Sequence, residues 1–290
     1  MKKIADSELI LNSDGSVYHL KLRPENISEN ILIVGDQGRV EVISKFFTNI
    51  ECKIQNREFL THTGTYNGKR ITALSTGIGT DNIDIVINEL DALVNIHLDK
   101  REIKEKLSTL NIVRLGTSGA LQGDIPIDDF VMSTHGIGFD GLLNFYKTTK
   151  NIYEDDITEA FIKHTGWEGK LARPYTVKAS DFLIKKLGDG IIKGITATAS
   201  GFYGPQGRQL RIEPSDPLLN DKMETFSFEG HRITNFEMET SALYGLGAIL
   251  GHNTVTICTI IANRVSKQYS KDYHPAVERM VKTVLDRITA

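Results

Sequence analysis

Two carboxylates flank a thioether in a short stretch of the sequence, Glu237-Met238-Glu239. Residues 234–238 are typical of the end of a strand, and the apolar, small-residue run at 242–250 predicts a buried helix. Open α/β sheets bind ligands where a strand leads into a helix, and a buried carboxylate there needs donors such as the hydroxyls of a sugar diol. The alternative is an acidic first turn that complements the helix dipole, and the spacing alone favours it.

A first candidate anion site follows the buried-strand run 31–34. The chain breaks at Gly35-Asp36-Gln37-Gly38, and Arg39 then opens a predicted helix that extends to Phe47. Backbone N–H groups and the positive end of a helix dipole make such a turn suited to phosphate. The stretch matches neither a G-x-G-x-x-G fingerprint nor a Walker loop, which argues against a dinucleotide site.

Two more features favour a polyanionic ligand. A second glycine loop, 76–80, leads into a predicted helix at 82–94. Arg114 lies within the apolar strand 112–115, which we expect to end in a glycine loop at 116–119. A buried arginine needs a carboxylate or an anion, so an ion pair and a phosphate contact both stay open.

The stretch 201–208 reads as an irregular loop that carries chemistry. Phe202, Gln206 and Arg208 give it a ring, an amide and a guanidinium within seven residues. This set can stack on and hydrogen-bond to a planar heterocycle that has donors and acceptors. The alternative is a simple surface turn.

The elements that must position these groups alternate between strands and helices. A hairpin is predicted over 59–75 around Asn67-Gly68, the pair favoured in type I′ turns. Residues 18–22 are predicted to be a strand whose His19 faces away from the apolar stripe, with a solvated histidine as the default. The charged stretch 95–108 is predicted to be helical and 135–146 to be a loop. Further strands are predicted at 130–133, 194–200 and 255–262, and helices at 156–165, 178–188 and 275–288. The pattern predicts one α/β domain over residues 1–290 with a mainly parallel or mixed sheet.

Composition excludes several classes of function. The net charge of −3 gives no sign of nucleic acid or an anionic membrane surface as partner. No stretch approaches the roughly 18 apolar residues of a membrane span. Cys52 and Cys258 predict buried thiols in a reducing compartment, and the polar N-terminus does not resemble a signal peptide, so we expect a cytoplasmic protein. No Cys/His spacing predicts a metal site.

Four motifs resemble the uridine phosphorylase branch of the nucleoside phosphorylase-I family, and the resemblance extends from Tyr18 to the last helix. In order and at suitable spacing they are specific together, although each alone is modest. They are Gly35-Asp36-Gln37-Gly38-Arg39, Arg114-Leu115-Gly116-Thr117-Ser118-Gly119, Phe202-Tyr203-Gly204-Pro205-Gln206-Gly207-Arg208 and Asn235-Phe236-Glu237-Met238-Glu239.

The resemblance implies a fold and a set of site residues. The fold is a three-layer α/β/α sandwich with a central mixed, partly barrel-like sheet flanked by helices. The implied phosphate ligands are Gly35, Arg39, Arg114 and Thr117, with Arg57 from a neighbouring subunit; the implied ribose contacts are Met238, Glu239, Glu237 and a neighbour's His19; the implied base site is Phe202, Gln206, Arg208 and Arg264. Of these, Arg114, Arg208, Gln206 and Glu239 are the implied catalytic residues.

The implied activity is reversible phosphorolysis of uridine to uracil and α-ribose 1-phosphate, with inorganic phosphate as co-substrate and no cofactor. Asn263, where the purine-handling branch has an acid, favours pyrimidines. The borrowed residues imply a homo-oligomer, with a dimer as the minimum and a hexamer built as a trimer of dimers as the alternative. Purine nucleoside phosphorylase, nucleosidase and a non-catalytic nucleoside-binding protein remain as alternatives on the same fold.

Overall fold

The structure is a computed structural model that describes residues 3–167 and 169–290, and its core is a mixed sheet. In chain order the strands are β1 (Asn30–Val34), β2 (Asn49–Asn56), β3 (Phe59–Tyr66), β4 (Lys69–Ser75), β5 (Ile96–His97), β6 (Glu102–Ile103), β7 (Asn111–Ala120), β8 (Phe130–Gly138), β9 (Tyr175–Lys178), β10 (Ile192–Thr198), β11 (Ser227–Phe228), β12 (His231–Glu237), β13 (Asn253–Asn263) and β14 (Gln268–Tyr269). Twelve strands form one sheet in the order β11-β12-β10-β8-β13-β7-β1-β4-β3-β2, with β9 beside β8 and β14 beside β13.

The sheet closes on itself over part of its width. Strand β12 pairs antiparallel with β7 through Asn235 opposite Ala120 and Phe236 opposite Gly119. This pairing joins β12, β10, β8, β13 and β7 into a five-stranded ring. The end of β12, which leads to Glu237, therefore meets the end of β7, which carries Arg114 and Thr117.

Helices cover the sheet in two groups, which gives the predicted α/β/α arrangement. Helix α2 packs on α6, and α1 and α4 both pack on α7. The helices are α1 (Gln37–Ser44), α2 (Thr80–Asn95), α3 (Asp155–Thr165), α4 (Asp181–Leu187), α5 (Leu219–Thr225), α6 (Thr240–Leu250) and α7 (His274–Thr289). The predicted fold class, with a mixed and partly barrel-like sheet, is confirmed.

Local sequence signals explain several of these elements. The β3–β4 hairpin turns at Asn67 and Gly68, which have φ values of 48° and 73°, as a type I′ turn requires. Helix α6 is buried along most of its length, as its apolar sequence predicts. Residues 31–34 of β1 are a continuous apolar run and are all buried, because this central strand is covered on both faces.

Two predictions about peripheral segments were wrong. Residues 18–20 form a turn, and Lys21 has a φ of 56°, so 18–22 is not a strand. Leu20 and Leu22 are nevertheless fully buried, because the turn folds both side chains into the core. The stretch 95–108 contains the small β5–β6 hairpin in place of a helix.

Two predicted loops are strands. Residues 116–119 continue β7, and 135–138 continue β8. Glycine is needed in these segments because a side chain would not fit. A Cβ on Gly116, for example, would lie 2.4 Å from Arg114 Nη1 and 2.8 Å from Cys258 Sγ. Cys258 is a buried free thiol as predicted, whereas Cys52 is free but only half-buried. Within the described ranges, no helix combines the length and the apolar character that a bilayer crossing needs.

Candidate active site

A cleft of about 810 Å³ opens at the ends of β7 and β12. It gathers ten of the thirteen residues that the sequence singled out. They are Gly35, Arg39, Arg114, Thr117, Phe202, Gln206, Arg208, Glu237, Met238 and Glu239. His19, Arg57 and Arg264 do not line it.

Arg39 forms a cationic end of the cleft. Asp36 caps α1 by accepting from the Gly38 N–H at 3.0 Å, and this places Arg39 in the first helical turn. Its Nη2 lies 3.4 Å from the Thr117 hydroxyl, and no carboxylate of the described residues lies within ion-pair distance of it. Burial lowers the pKa of Arg39, and the nearby Arg114 lowers it further. A desolvated cation without a carboxylate partner is suited to binding an anion.

Arg114 lies in the buried centre between two carboxylates. Its Nη1 is 3.2 Å from Glu237 Oε2, and its Nη2 donates to Glu239. Burial alone would lower the pKa of Arg114, but Glu239 and Glu237 outweigh it and raise that pKa. The ion pair left open by the sequence is therefore formed. The Nε–H is buried without a partner among the described residues, so one donor is not used by the pair.

Glu237 accepts hydrogen bonds from the start of helix α6. Its oxygens accept from the N–H of Glu239 at 2.9 Å, from the N–H of Thr240 at 3.0 Å and from the Thr198 hydroxyl at 2.8 Å. Burial raises the pKa of Glu237 while Arg114 opposes the rise. The dipole-complementing role that the spacing favoured thus belongs to this carboxylate, whose acceptor capacity is taken up by the protein.

Glu239 joins the second glycine loop to the centre. It accepts from the N–H of Gly79 at 3.0 Å and from that of Met238 at 3.1 Å. Gly79 has a φ of 102°, a conformation that favours glycine, and it directly precedes helix α2. The sequence identified both the loop and the acid, but it carried no signal that they contact each other across 160 residues of chain.

The other end of the cleft is built around the Gln206 amide. Its Oε1 accepts from Arg208 Nη1 at 2.6 Å and from Arg264 Nη2 at 3.0 Å. Guanidinium groups only donate, which fixes the amide with Oε1 toward the two arginines and leaves Nε2 as its remaining donor. The Arg208 guanidinium also lies 3.7 Å from the centroid of the Phe202 ring. Burial lowers the pKa of Arg264 to about 10, with Arg208 adding to the effect.

His19 and Arg57 lie together outside the cleft lining. His19 Nδ1 is 2.7 Å from Glu89 Oε1, and Glu89 also accepts from the N–H groups of residues 19 and 20. Arg57 is exposed, has a φ of 53° and lies 5.6 Å from the centroid of the Tyr18 ring. The structure thus places both side chains on a shared patch of surface, while the adjacent Glu58 lines the cleft.

Asn263 does not contact the cleft, contrary to the way the sequence argument used it. Its Nδ2 donates to the carbonyls of Gln122 and Ile125, and its Oδ1 accepts from the N–H groups of Val265 and Ser266. These four bonds use the whole hydrogen-bonding capacity of the side chain. Asn263 therefore anchors the turn between β13 and β14.

Sequence reasoning also missed cleft residues whose types are unremarkable in a sequence. Ile78, Phe236 and Tyr269 line the cleft beside the predicted groups. Ile78 stands between two glycines in a loop that the sequence did identify. Tyr269 lies in a strand of two residues, too short to give a period-2 pattern.

The chain is similar to several known proteins. The model of the phosphorylase superfamily matches residues 30–290. The chain is 28% identical to the uridine phosphorylase of Thermococcus kodakarensis over 279 residues, covering 93% of this chain and 86% of that protein. It is also 29% identical to a DeoD-type purine nucleoside phosphorylase of Clostridium perfringens, covering 92% and 97%.

A solved structure extends the likeness to the fold. A Trypanosoma brucei nucleoside phosphorylase with uridine phosphorylase activity superposes with a TM-score of 0.88 at 30% identity, over 97% of this chain and 100% of that one. The chain therefore belongs to the phosphorylase superfamily, and within it to the nucleoside phosphorylases.

Proposed function

We propose that the protein catalyses the reversible phosphorolysis of uridine to uracil and α-ribose 1-phosphate. The observation that carries the proposal is the order of groups along one cleft. Arg39 and Thr117 stand at one end, the Arg114–Glu239 pair in the middle, and the Gln206–Arg208 pair at the other end. Phosphate and a nucleoside bound side by side present matching groups in the same order: an anion, a sugar diol and a planar base.

At the phosphate end, the role we assign to Arg39 and Arg114 is to fix the nucleophile below C1′ of the ribose. Gly35, which precedes α1, lines the same cleft, and we assign its backbone N–H to the same anion. Holding phosphate in line lowers the entropic part of the barrier. The unpartnered Nε–H of Arg114 supports this role, since it offers a donor without breaking the ion pair.

In the middle, Glu239 is our candidate for the ribose hydroxyls. The bond between C1′ and the base breaks with positive charge developing on the sugar, and a carboxylate stabilises that charge. Met238 would pack against the ribose. Glu237, whose oxygens are filled by protein donors, is assigned a positioning role: it holds Arg114 and the start of α6 in place.

At the base end, negative charge arrives on the leaving pyrimidine. The free Nε2 of Gln206 and the unused N–H groups of Arg208 are donors suited to the carbonyl oxygens of uracil. Arg264 holds Gln206 through its backbone carbonyl and its side-chain oxygen. The pyrimidine assignment rests on this pair of donors, with support from the uridine phosphorylase among the relatives.

Purine nucleoside phosphorolysis is the second candidate, because a relative of equal identity is named for it. A nucleosidase is disfavoured because the attack of water does not need the two cationic groups Arg39 and Arg114. We further propose that the protein is a cytoplasmic homo-oligomer of at least two subunits, in which Arg57 and His19 reach the cleft of a neighbour. No metal or organic cofactor enters the proposal.

The test is base release from uridine and from inosine, each with and without phosphate, followed by ultraviolet absorbance. We expect phosphate-dependent cleavage of uridine alone. Cleavage of inosine alone would replace the proposal by the purine activity. Cleavage of either nucleoside at the same rate without phosphate would mean hydrolysis.

A further inference from the structure

The described cleft offers three aromatic side chains to a flat ligand, and they are not equally available. Phe236 is 2% exposed. Phe202 is half exposed, but the Arg208 guanidinium already stacks on its ring. Tyr269 is 64% exposed, and within residues 3–167 and 169–290 no ring or cation stacks on it. Of the three rings, Tyr269 thus has the largest exposed fraction and, among the described residues, no stacking partner.

Tyr269 is held at the base end of the cleft by a short hairpin. Strand β14 pairs Tyr269 with Ala262 of β13, and Ala262 also lines the cleft. The preceding turn carries Arg264, which donates to the side chain and backbone of Gln206. One arm of the hairpin thus contacts the loop that carries the base-binding donors, and the other arm presents the tyrosine ring.

Hydrogen bonds anchor the hairpin backbone on both sides of Tyr269. The Asn263 side chain donates to the carbonyls of two residues that precede β8 in the chain, and it accepts from two N–H groups of the turn. All four distances are 2.9 to 3.0 Å. On the far side, the Ser270 N–H donates to the Ile261 carbonyl at 2.8 Å. Because the backbone is already held, only the side-chain torsions of Tyr269 must be ordered when the ring stacks on a ligand.

We propose that Tyr269 stacks on the nucleobase and sets the affinity for the nucleoside. This inference rests on the proposed function only in requiring a nucleoside; it holds for a pyrimidine or a purine base. Stacking is insensitive to the exact base because every base has a π-face, so Gln206 and Arg208 would select the base and Tyr269 would hold it.

The test compares Tyr269→Ala and Tyr269→Phe with the parent enzyme, and Phe145→Ala serves as a control because Phe145 is 88% exposed and lies outside the cleft lining. Each enzyme is assayed with uridine and with inosine at saturating phosphate, and then with varied phosphate. Loss of the ring should raise the KM of the nucleoside by about tenfold. The KM of phosphate, the Phe variant and the control should stay within about twofold of the parent.

Three results would overturn the inference. An unchanged nucleoside KM in Tyr269→Ala would show that the ring does not contact the base. A rise in the phosphate KM alone would move Tyr269 to the other end of the cleft. An equal loss in Tyr269→Phe would assign the contact to the hydroxyl. A parent that cleaves inosine instead of uridine would refute the pyrimidine proposal, and its inosine KM values would still decide the role of Tyr269.

Discussion

The centre of the cleft and its base end are constructed differently. The centre around Arg114, Glu237 and Glu239 rises from the strands β7 and β12 and the start of α6, and its side chains are 3% to 5% exposed. The base end consists of the loop 202–208 and the 263–269 hairpin, where Phe202 is 50% and Tyr269 64% exposed. The centre is part of the core, and the base end consists of surface loops that cover it.

The difference separates what nucleosides share from what distinguishes them. Phosphate and ribose are common to all nucleoside phosphorolysis. We assign them to the part of the cleft that cannot change without disturbing the core. The base differs between substrates, and we assign it to loops that can vary while the scaffold persists. The division predicts that relatives named for uridine and for purine nucleosides differ more at the base end than in the centre.

The largest effect should come from removing Arg114. Arg114→Ala leaves Glu237 and Glu239 buried without their cation, and breaking a buried pair in this way costs roughly 3–5 kcal/mol of stability. We expect both a lowered unfolding temperature and a loss of at least about 10³ in kcat/KM, since a clamp donor is lost as well. Calorimetry and steady-state kinetics on the same preparation measure the two effects.

Arg39→Ala is the matched control for Arg114. Arg39 has no carboxylate partner among the described residues, so its loss should weaken phosphate binding without lowering the unfolding temperature. If both variants unfolded at the temperature of the parent, the Arg114 pair would not stabilise the core.

The next effect should come from the base end. Arg208→Ala should reduce kcat/KM for uridine by about 10²–10³, as expected for a donor to developing negative charge. Its unfolding temperature should match that of the parent because Arg208 is attached to a loop. The exposed neighbour Arg211, changed to Ala, supplies the control. Near-normal turnover by Arg208→Ala would remove Arg208 from the base site.

Glu239→Gln tests the sugar contact in the centre of the cleft. The change keeps the size of the side chain and removes its charge, so a hydrogen bond from the ribose to a charged acceptor is weakened by a factor of about 10 to 100. The ratio of kcat/KM for uridine to that for 2′-deoxyuridine should shrink accordingly. A ratio equal to that of the parent would mean that Glu239 does not contact the 2′-hydroxyl.

The last effect acts on stability alone and concerns the ring of strands. His135 of β8 is buried beside His231, with Lys178 and Asp181 also facing it, and burial lowers its pKa to about 4. As the pH falls, His135 of the unfolded chain binds a proton near pH 6.5, whereas His135 of the folded protein binds it only near pH 4. Stability should therefore fall by up to about 3 kcal/mol as the pH drops from 6.5 to 4.

Urea unfolding of His135→Gln at pH 7 and pH 4.5 measures this contribution. The variant should lose less stability on acidification than the parent, whereas His274→Gln, at an exposed position, should behave as the parent does. Equal losses in the parent and His135→Gln would show that His135 titrates normally.

The sequence was informative where local chemistry is strong. The Asn67-Gly68 pair predicted the hairpin, the buried runs predicted β1 and β13, and the glycine loop before Arg39 predicted the start of α1. The same local signals misled at 116–119, where the glycines make room for the Arg114 side chain and do not end the strand. A glycine that relieves crowding and a glycine that permits a turn are identical in a sequence.

The rest of the site depends on contacts between residues that are far apart in the sequence. The hydrophobic periodicity of a segment gives no information about such contacts. The bond from Gly79 to Glu239 and the pairing of β12 with β7 are examples. Asn263 shows the same limit from the other side, because a side chain that looked like a marker of base choice is engaged by four backbone groups. Tyr269 lies in a strand of two residues and gave no signal.

The most direct measurement for the central claim is ³¹P NMR of the protein with uridine and inorganic phosphate. If phosphate is the nucleophile, the inorganic phosphate signal should decline while a sugar 1-phosphate signal grows, with one sugar phosphate formed for each uracil released. Release of uracil with an unchanged phosphate signal would contradict the account, because the ribose would then have been transferred to water.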